Sequence, residues 1–122
     1  MVSDIPIYTQ LCHQIIKGIA IKELKEGDEL PSVRNLAKDL GVNLHTINKA
    51  YTIMKQEGFL VVNRRKGVVV NAPDGYKSDD KYKTILKKEL EVLVIEALAR
   101  GLEYGNIDDL LKSIITDVKG DK

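Results

Sequence analysis

Two short amphipathic stretches stand almost back to back in the first half of this chain, and they limit its folding more than any other feature. Ser32 precedes VRNLAKDL, in which Val33, Leu36, Ala37 and Leu40 recur at helical spacing. Gly41 ends that stretch, Val42 follows, and Asn43 opens LHTINKAYTIMKQE, where Ile47, Ala50, Tyr51 and Met54 form the next stripe. Ser and Asn cap helix starts by accepting a hydrogen bond from a free first-turn N–H, and Gly ends helices. Two short helices joined by a glycine-containing turn of about three residues make a helix-turn-helix.

The flanks extend this reading. A first helix is expected from near Pro6 to near Lys22, with Tyr8, Leu11, Cys12, Ile15, Ile16 and Ile19 on one stripe. KEGDELPS reads as a turn at Glu26-Gly27-Asp28 and a short extended piece stopped by Pro31. The third helix should end at Gly58. FLVVNRRKGVVVN then reads as a β-hairpin with the four-residue tip Arg64-Arg65-Lys66-Gly67. Helix, strand, helix, helix, hairpin is the order of a winged helix-turn-helix, assigned here to residues 1–76.

The next segment, APDGYKSDDK, has little to bury and reads as a linker. Two more helices are expected, over about residues 80–100 and 106–118, the second capped by Asn106. The second carries one stripe of Ile107, Leu110, Leu111, Ile114, Ile115 and Val118. The first carries two: Leu86, Leu90, Leu93, Ala97 and Gly101 on one side, Val92, Ile95, Ala99 and Leu102 on the other. A helix apolar on two sides is covered on two sides, and so short an appendage cannot do that alone. Residues 77–122 are therefore expected to dimerise through Val92, Ile95, Ala99 and Leu102. The expected fold class is mostly α with a small β-hairpin: a winged helix-turn-helix plus a C-terminal two-helix dimerisation appendage.

Composition narrows the function. The chain has 122 residues, 43% of them apolar, enough for one folded core. Its 19 basic and 18 acidic side chains leave a net charge of +1, so any case for nucleic acid rests on where the cations sit. One cysteine, Cys12, rules out an intrachain disulfide; on an apolar helix face it reads as a small buried hydrophobe. With His13 and His45 as the two histidines and no glycine-rich phosphate loop, no metal site, cofactor or catalytic set is expected. No signal peptide and no membrane-length apolar run is visible, which points to a soluble cytoplasmic protein.

The outward face of the third helix is unusual. His45, Asn48, Lys49 and Thr52 lie opposite the core stripe, where helices ordinarily carry Glu and Lys. Amide, imidazole and hydroxyl groups solubilise poorly but hydrogen-bond well to base edges or to peptide groups.

The stretch from Ile5 to Leu60 resembles the DNA-binding domain of GntR-type bacterial transcription regulators. The residues that carry the resemblance are Gly27-Asp28, Leu30-Pro31-Ser32, Arg34, Leu36-Ala37, Gly41-Val42, Thr46, Ala50-Tyr51 and Glu57-Gly58. The opening IPIYTQL, the Val42-Asn43 pair before Thr46 and the two-helix tail are similar to the small YtrA-type subfamily. The resemblance implies a homodimeric repressor that binds double-stranded operator DNA near its own operon, often a transporter operon. Leu44-His45 stand where the subfamily usually has Pro-Asn, and Arg65 stands where the wing tip usually has glycine. Base preference and wing geometry are therefore not carried over, and no motif specifies a small-molecule effector.

Within that frame the polar face is a recognition helix. Asn43, His45 and Thr46 reach phosphate or base edges, while Asn48 and Lys49 point further into the major groove. Thr46 has a competing option, a bond to its own backbone. Arg34 sits at the second position of its helix, where the helix dipole disfavours a cation. A phosphate would turn that liability into an anion site, whereas Asp28 or Glu29 could neutralise it internally. Arg64, Arg65, Lys66 and Gly67 form a tip suited to the duplex backbone or minor groove. The alternative is a winged helix that docks a protein partner without reading DNA, and salt-dependent binding to DNA of any sequence separates the two.

Overall fold

The computed structural model describes residues 4–120, so the outermost residues of both expected ranges lie outside it. The chain forms two compact units, with the boundary between Lys77 and Ser78.

In the first unit, α1 (Ile7–Ala20), α2 (Val33–Leu40) and α3 (Leu44–Gln56) precede an antiparallel hairpin of β1 (Leu60–Asn63) and β2 (Gly67–Val70). Helix α3 is the centre, because both α1 and α2 pack on it. Its stripe of Ile47, Ala50, Tyr51 and Met54 is buried as the periodicity requires. Cys12 and Ile15 from α1, Ala37 from α2, and Leu60 and Val70 from the hairpin complete the core. Leu40, expected in the α2 stripe, is instead 52% exposed, because α2 ends there and the chain turns away.

Local chemistry fixes the helix boundaries. Ser32 Oγ accepts from Asn35 N at 3.0 Å and caps α2. At its other end Val42 N donates to Ala37 O and Gly41 N to Lys38 O, the double bond pattern of a left-handed glycine terminus, with Gly41 at φ 68°. Helix α3 closes in the same way through Gly58 and Phe59. Helix α1 is shorter than expected, stopping at Ala20, and Pro6 is its cap residue rather than part of its first turn.

The extended piece before Pro31 joins the hairpin edge. Gly27 N donates to Val70 O, Val70 N to Asp28 O, and Leu30 N to Val68 O. This ties the α2 entrance to the wing.

The segment that reads as a linker in sequence is largely structured, which corrects that expectation. Asn71 Nδ2 donates to Gly58 O at 3.0 Å, and its Oδ1 accepts from Ala72 N at 2.8 Å. Pro73–Gly75 forms a 3-10 turn, and the Tyr76 ring stacks on Phe59 with centroids 5.0 Å apart. Such a ring pair is worth about 0.5–1.5 kcal/mol beyond its buried area. Tyr76 is the apolar group that sequence inspection undervalues.

The second unit consists of α4 (Asp80–Ala99) and α5 (Tyr104–Gly120). Asp79 Oδ1 caps α4 through Tyr82 N. Asn106 does not precede α5: it lies inside the first turn and accepts from Glu103 N at 2.9 Å, the backward half of a capping box. The two helices share an apolar groove of Leu90, Leu93, Val94, Ala97, Ile107, Leu110, Leu111 and Ile114. Neither helix has a buried residue. A tidy stripe on α5 implies cover, yet Leu110 is 55% and Ile114 58% exposed. Two helices make one seam, and the apolar surface exceeds what one seam can hide. Among the described residues, no helix is long and apolar enough to cross a membrane.

Candidate nucleic-acid interface

The interface is built from the inside outward, beginning with Tyr51. Its ring is fully buried under α3, and its hydroxyl donates to Pro31 O at 2.7 Å. Burial pushes the phenol pKa up to about 12, so the hydroxyl stays a donor well above neutral pH. This bond holds the residue next to the α2 cap, and so fixes where α2 begins relative to α3. The periodicity marks Tyr51 as core but gives no sign of this positioning role.

The beginnings of α2 and α3 then line one open groove of about 430 Å³, formed by Ser32, Val33, Arg34, Leu44, His45 and Asn48. Three of the expected contact residues, Arg34, His45 and Asn48, converge there although ten and thirteen residues of chain separate Arg34 from the other two. All three side chains are exposed. Arg34 makes no ion pair with any described residue, so neither Asp28 nor Glu29 neutralises it; Asp28 Oδ2 instead accepts from Lys25 N.

Asn43 has a structural duty, since its Oδ1 accepts from His45 N at 2.7 Å to cap α3. That leaves its amide N–H₂ as the group able to face a ligand. Thr46 is half-buried, and its backbone N–H donates to Asn43 O within the first turn. Lys49 departs from the expectation. Its Nζ lies 4.2 Å from the centroid of the Tyr8 ring, so the amine leans onto α1 instead of extending beside Asn48.

The wing tip is shorter than expected. Gly67 pairs with Asn63 as the first residue of β2, leaving Arg64, Arg65 and Lys66 as the connection. Asn63 Oδ1 accepts from both Arg65 N and Lys66 N, at 2.9 and 3.1 Å. This side-chain turn sets the tip backbone. Arg65 needs no positive φ, which resolves how it replaces a glycine. The three cations are exposed and unpaired among the described residues. Sequence reasoning misses Asn63 here, although an Asn leading a turn is the signal for it.

A polar-faced helix packed on a second helix and followed by a cationic hairpin defines a winged helix-turn-helix DNA-binding regulator. Comparison with known proteins narrows this class. Residues 7–70 match the family of bacterial regulatory proteins, gntR family. The chain is 35% identical to the HTH-type transcriptional repressor YtrA of Bacillus subtilis, over 98% of this chain and 92% of that protein. It is similar to the solved structure of YtrA from Sulfolobus acidocaldarius, a GntR-family transcription factor, at 39% identity and TM-score 0.54, covering 93% of this chain and 91% of that one. The fold alone is shared with a transcriptional antiterminator from Listeria monocytogenes, at TM-score 0.85 and 23% identity, over 94% of this chain and 86% of that one. The chain belongs to the GntR family and has the YtrA-type architecture. It is a DNA-binding transcription regulator and not an enzyme.

Proposed function

We propose that this chain acts as a homodimeric repressor on an inverted-repeat operator, with residues 1–76 reading DNA and residues 77–122 holding the dimer. The observation that carries the reading is the shared groove of Arg34, His45 and Asn48, which offers a cation, an imidazole and an amide to one ligand surface. Asn48 and His45 read base edges; an asparagine amide suits the adenine N6 and N7 pair. Arg34, the Asn43 amide and Thr46 serve the phosphate backbone near the helix starts. Lys49, once lifted from Tyr8, adds a phosphate contact at the groove edge. Arg64, Arg65 and Lys66 follow the backbone or minor groove, with Gly67 shaping their turn. Likeness to a relative named as a transcriptional repressor supports repression; a site near the chain's own operon, with transporter genes as the target, is part of the same proposal.

The dimer rests on the apolar surface of α4, where Val92 and Ile95 are 64% and 59% exposed and Ala99 is exposed. Leu102, expected on the same stripe, is also exposed but lies past the end of α4, beyond the turn at Gly101. Contiguous apolar surface of that kind marks an interaction site. Two reading units related by a two-fold axis need half-sites about one helical turn or slightly more apart.

Selection of bound fragments from random DNA tests the reading, followed by Asn48→Ala on the selected operator. The variant removes a donor and an acceptor without changing charge. Operator affinity should fall by about 1–3 kcal/mol, while binding to random DNA should barely change. Equal loss on both would make Asn48 a backbone contact. A wild-type protein that enriches no sequence would overturn specific reading altogether.

A further inference from the structure

We propose that the Phe59–Tyr76 stack is a clasp that sets operator spacing, by fixing how much chain is free between the reading unit and the dimerising unit. The proposal rests on the dimer reading above and deepens it. By sequence the tether is the whole ten-residue stretch from Ala72 to Lys81. By structure most of that stretch is spent. Lys77 N donates to Pro73 O at 2.7 Å, Tyr76 N to the same carbonyl at 3.0 Å, and Gly75 N to Ala72 O at 3.0 Å. Asp79 already caps α4. Ser78 alone lies between the last bonded residue of the turn and the cap of the next helix.

The clasp has three parts that agree. Tyr76 stacks on Phe59, the residue that also closes α3. Asn71 bridges to Gly58 O through Nδ2 and to Ala72 N through Oδ1. Gly58 and Gly75 approach so closely that a Cβ on Gly58 would collide with the Gly75 carbonyl, and a Cβ on Gly75 with the Asn71 amide. Gly58 also sits at φ +88°. A family-typical Glu-Gly pair is thus matched here to a second glycine in the segment that leaves the wing.

The consequence is a matter of reach. Opening the clasp frees residues 71–77, which can extend by about 3.3–3.6 Å each, up to roughly 23–25 Å per subunit. That exceeds half a turn of B-DNA, about 17 Å. Binding of the second half-site is intramolecular, and its effective concentration peaks when tether length matches the span. A closed clasp therefore selects one spacing sharply, and an open one tolerates several. Tyr76 is a positioning residue, since it acts through tether length and touches no base.

The test uses the full chain and a library of paired half-sites whose separation varies base pair by base pair. Wild type should bind its best spacing at least about tenfold tighter than spacings two base pairs away. Tyr76→Ala should flatten that ratio to about threefold or less, leave single half-site affinity within about twofold, and keep base preference. Tyr76→Phe keeps the ring and should restore the sharp profile. Inserting a flexible Gly-Ser segment of about six residues after Ser78 should reproduce the flattened profile with the clasp intact, which covers the case of Tyr76→Ala failing to fold. A sharp profile retained by both Tyr76→Ala and the insertion would overturn the clasp. Half-site affinity falling in step with spacing preference would make Tyr76 merely structural and overturn it too. A monomeric wild type indifferent to the second half-site would sink the dimer reading itself, and this proposal with it.

Discussion

The two units spend similar residues in opposite ways. In the first, α3 buries a full stripe of Ile47, Ala50, Tyr51 and Met54, and its polar face stays open. In the second, α4 and α5 carry at least as many large apolar residues and bury none of them. The first unit closes because three helices and a hairpin surround one stripe. The second has two helices and one groove, and its surplus is left facing outward. On the dimer reading, one unit is finished by its own chain and the other by a second copy. The first should unfold independently of concentration, whereas the second should gain stability by mass action.

The sharpest way to break that contrast is Ile95→Asp. A carboxylate placed in an apolar dimer seam cannot be paired, and costs several kcal/mol. Sedimentation should show the variant as monomer at concentrations where wild type is dimer. The first unit, whose core is made of its own residues, should keep its thermal transition. A wild type that sediments as monomer at tens of micromolar would remove the basis of the comparison.

A second test asks how much the first unit depends on Tyr51. Its folded pKa is raised to about 12, against about 10 for a free tyrosine. Below pH 10 both states hold the proton and the contribution is fully present. As pH climbs from 10 through 12 the unfolded chain ionises first, and stability falls by up to about 2–3 kcal/mol. Tyr51→Phe should abolish that component of alkaline unfolding. At neutral pH it should cost about 1–2 kcal/mol, because the Pro31 carbonyl loses its donor. Denaturant midpoints of both proteins at several pH values measure the difference directly. An identical alkaline slope in the two would show the phenol to be already ionised or solvated.

The contrast also explains what is legible in the sequence. Periodicity locates α2, α3 and the hairpin, because a stripe that must be buried leaves a fixed spacing, and Ser32, Gly41 and Asn43 are local caps that need no tertiary context. Long-range bonds leave no such trace. The Tyr51 hydroxyl on Pro31, the Lys49 amine over Tyr8 and the Tyr76 ring on Phe59 each join elements at separations that no window spans. The linker expectation fails for that reason: Pro, Gly, Ser and charge mark a turn, but they do not reveal that its one aromatic residue is docked. Arg34 and Asn48 are readable as exposed polar positions on their helices, while their convergence on one groove comes from the crossing of α2 on α3.

The smallest effect is the most diagnostic for the reading unit. Arg34 lies at the second position of α2, exposed and unpaired among the described residues, where first-turn N–H groups already make the end electropositive. Removing its charge with Arg34→Ala should leave stability unchanged or raise it by a few tenths of a kcal/mol, up to about 1. If its partner is a phosphate, the same change should weaken operator and random DNA by similar factors. It should also lower the log–log salt slope by about one unit per subunit, because one phosphate is no longer neutralised. Arg34→Lys should recover most of the slope, since charge carries it, but less of the affinity if the guanidinium grips phosphate with two N–H groups. Chemical denaturation and salt-titrated binding on the same preparations separate the two roles. A stability loss of about 2 kcal/mol or more would make Arg34 a structural residue of the α2 entrance, and its place in the groove would then serve the fold rather than DNA.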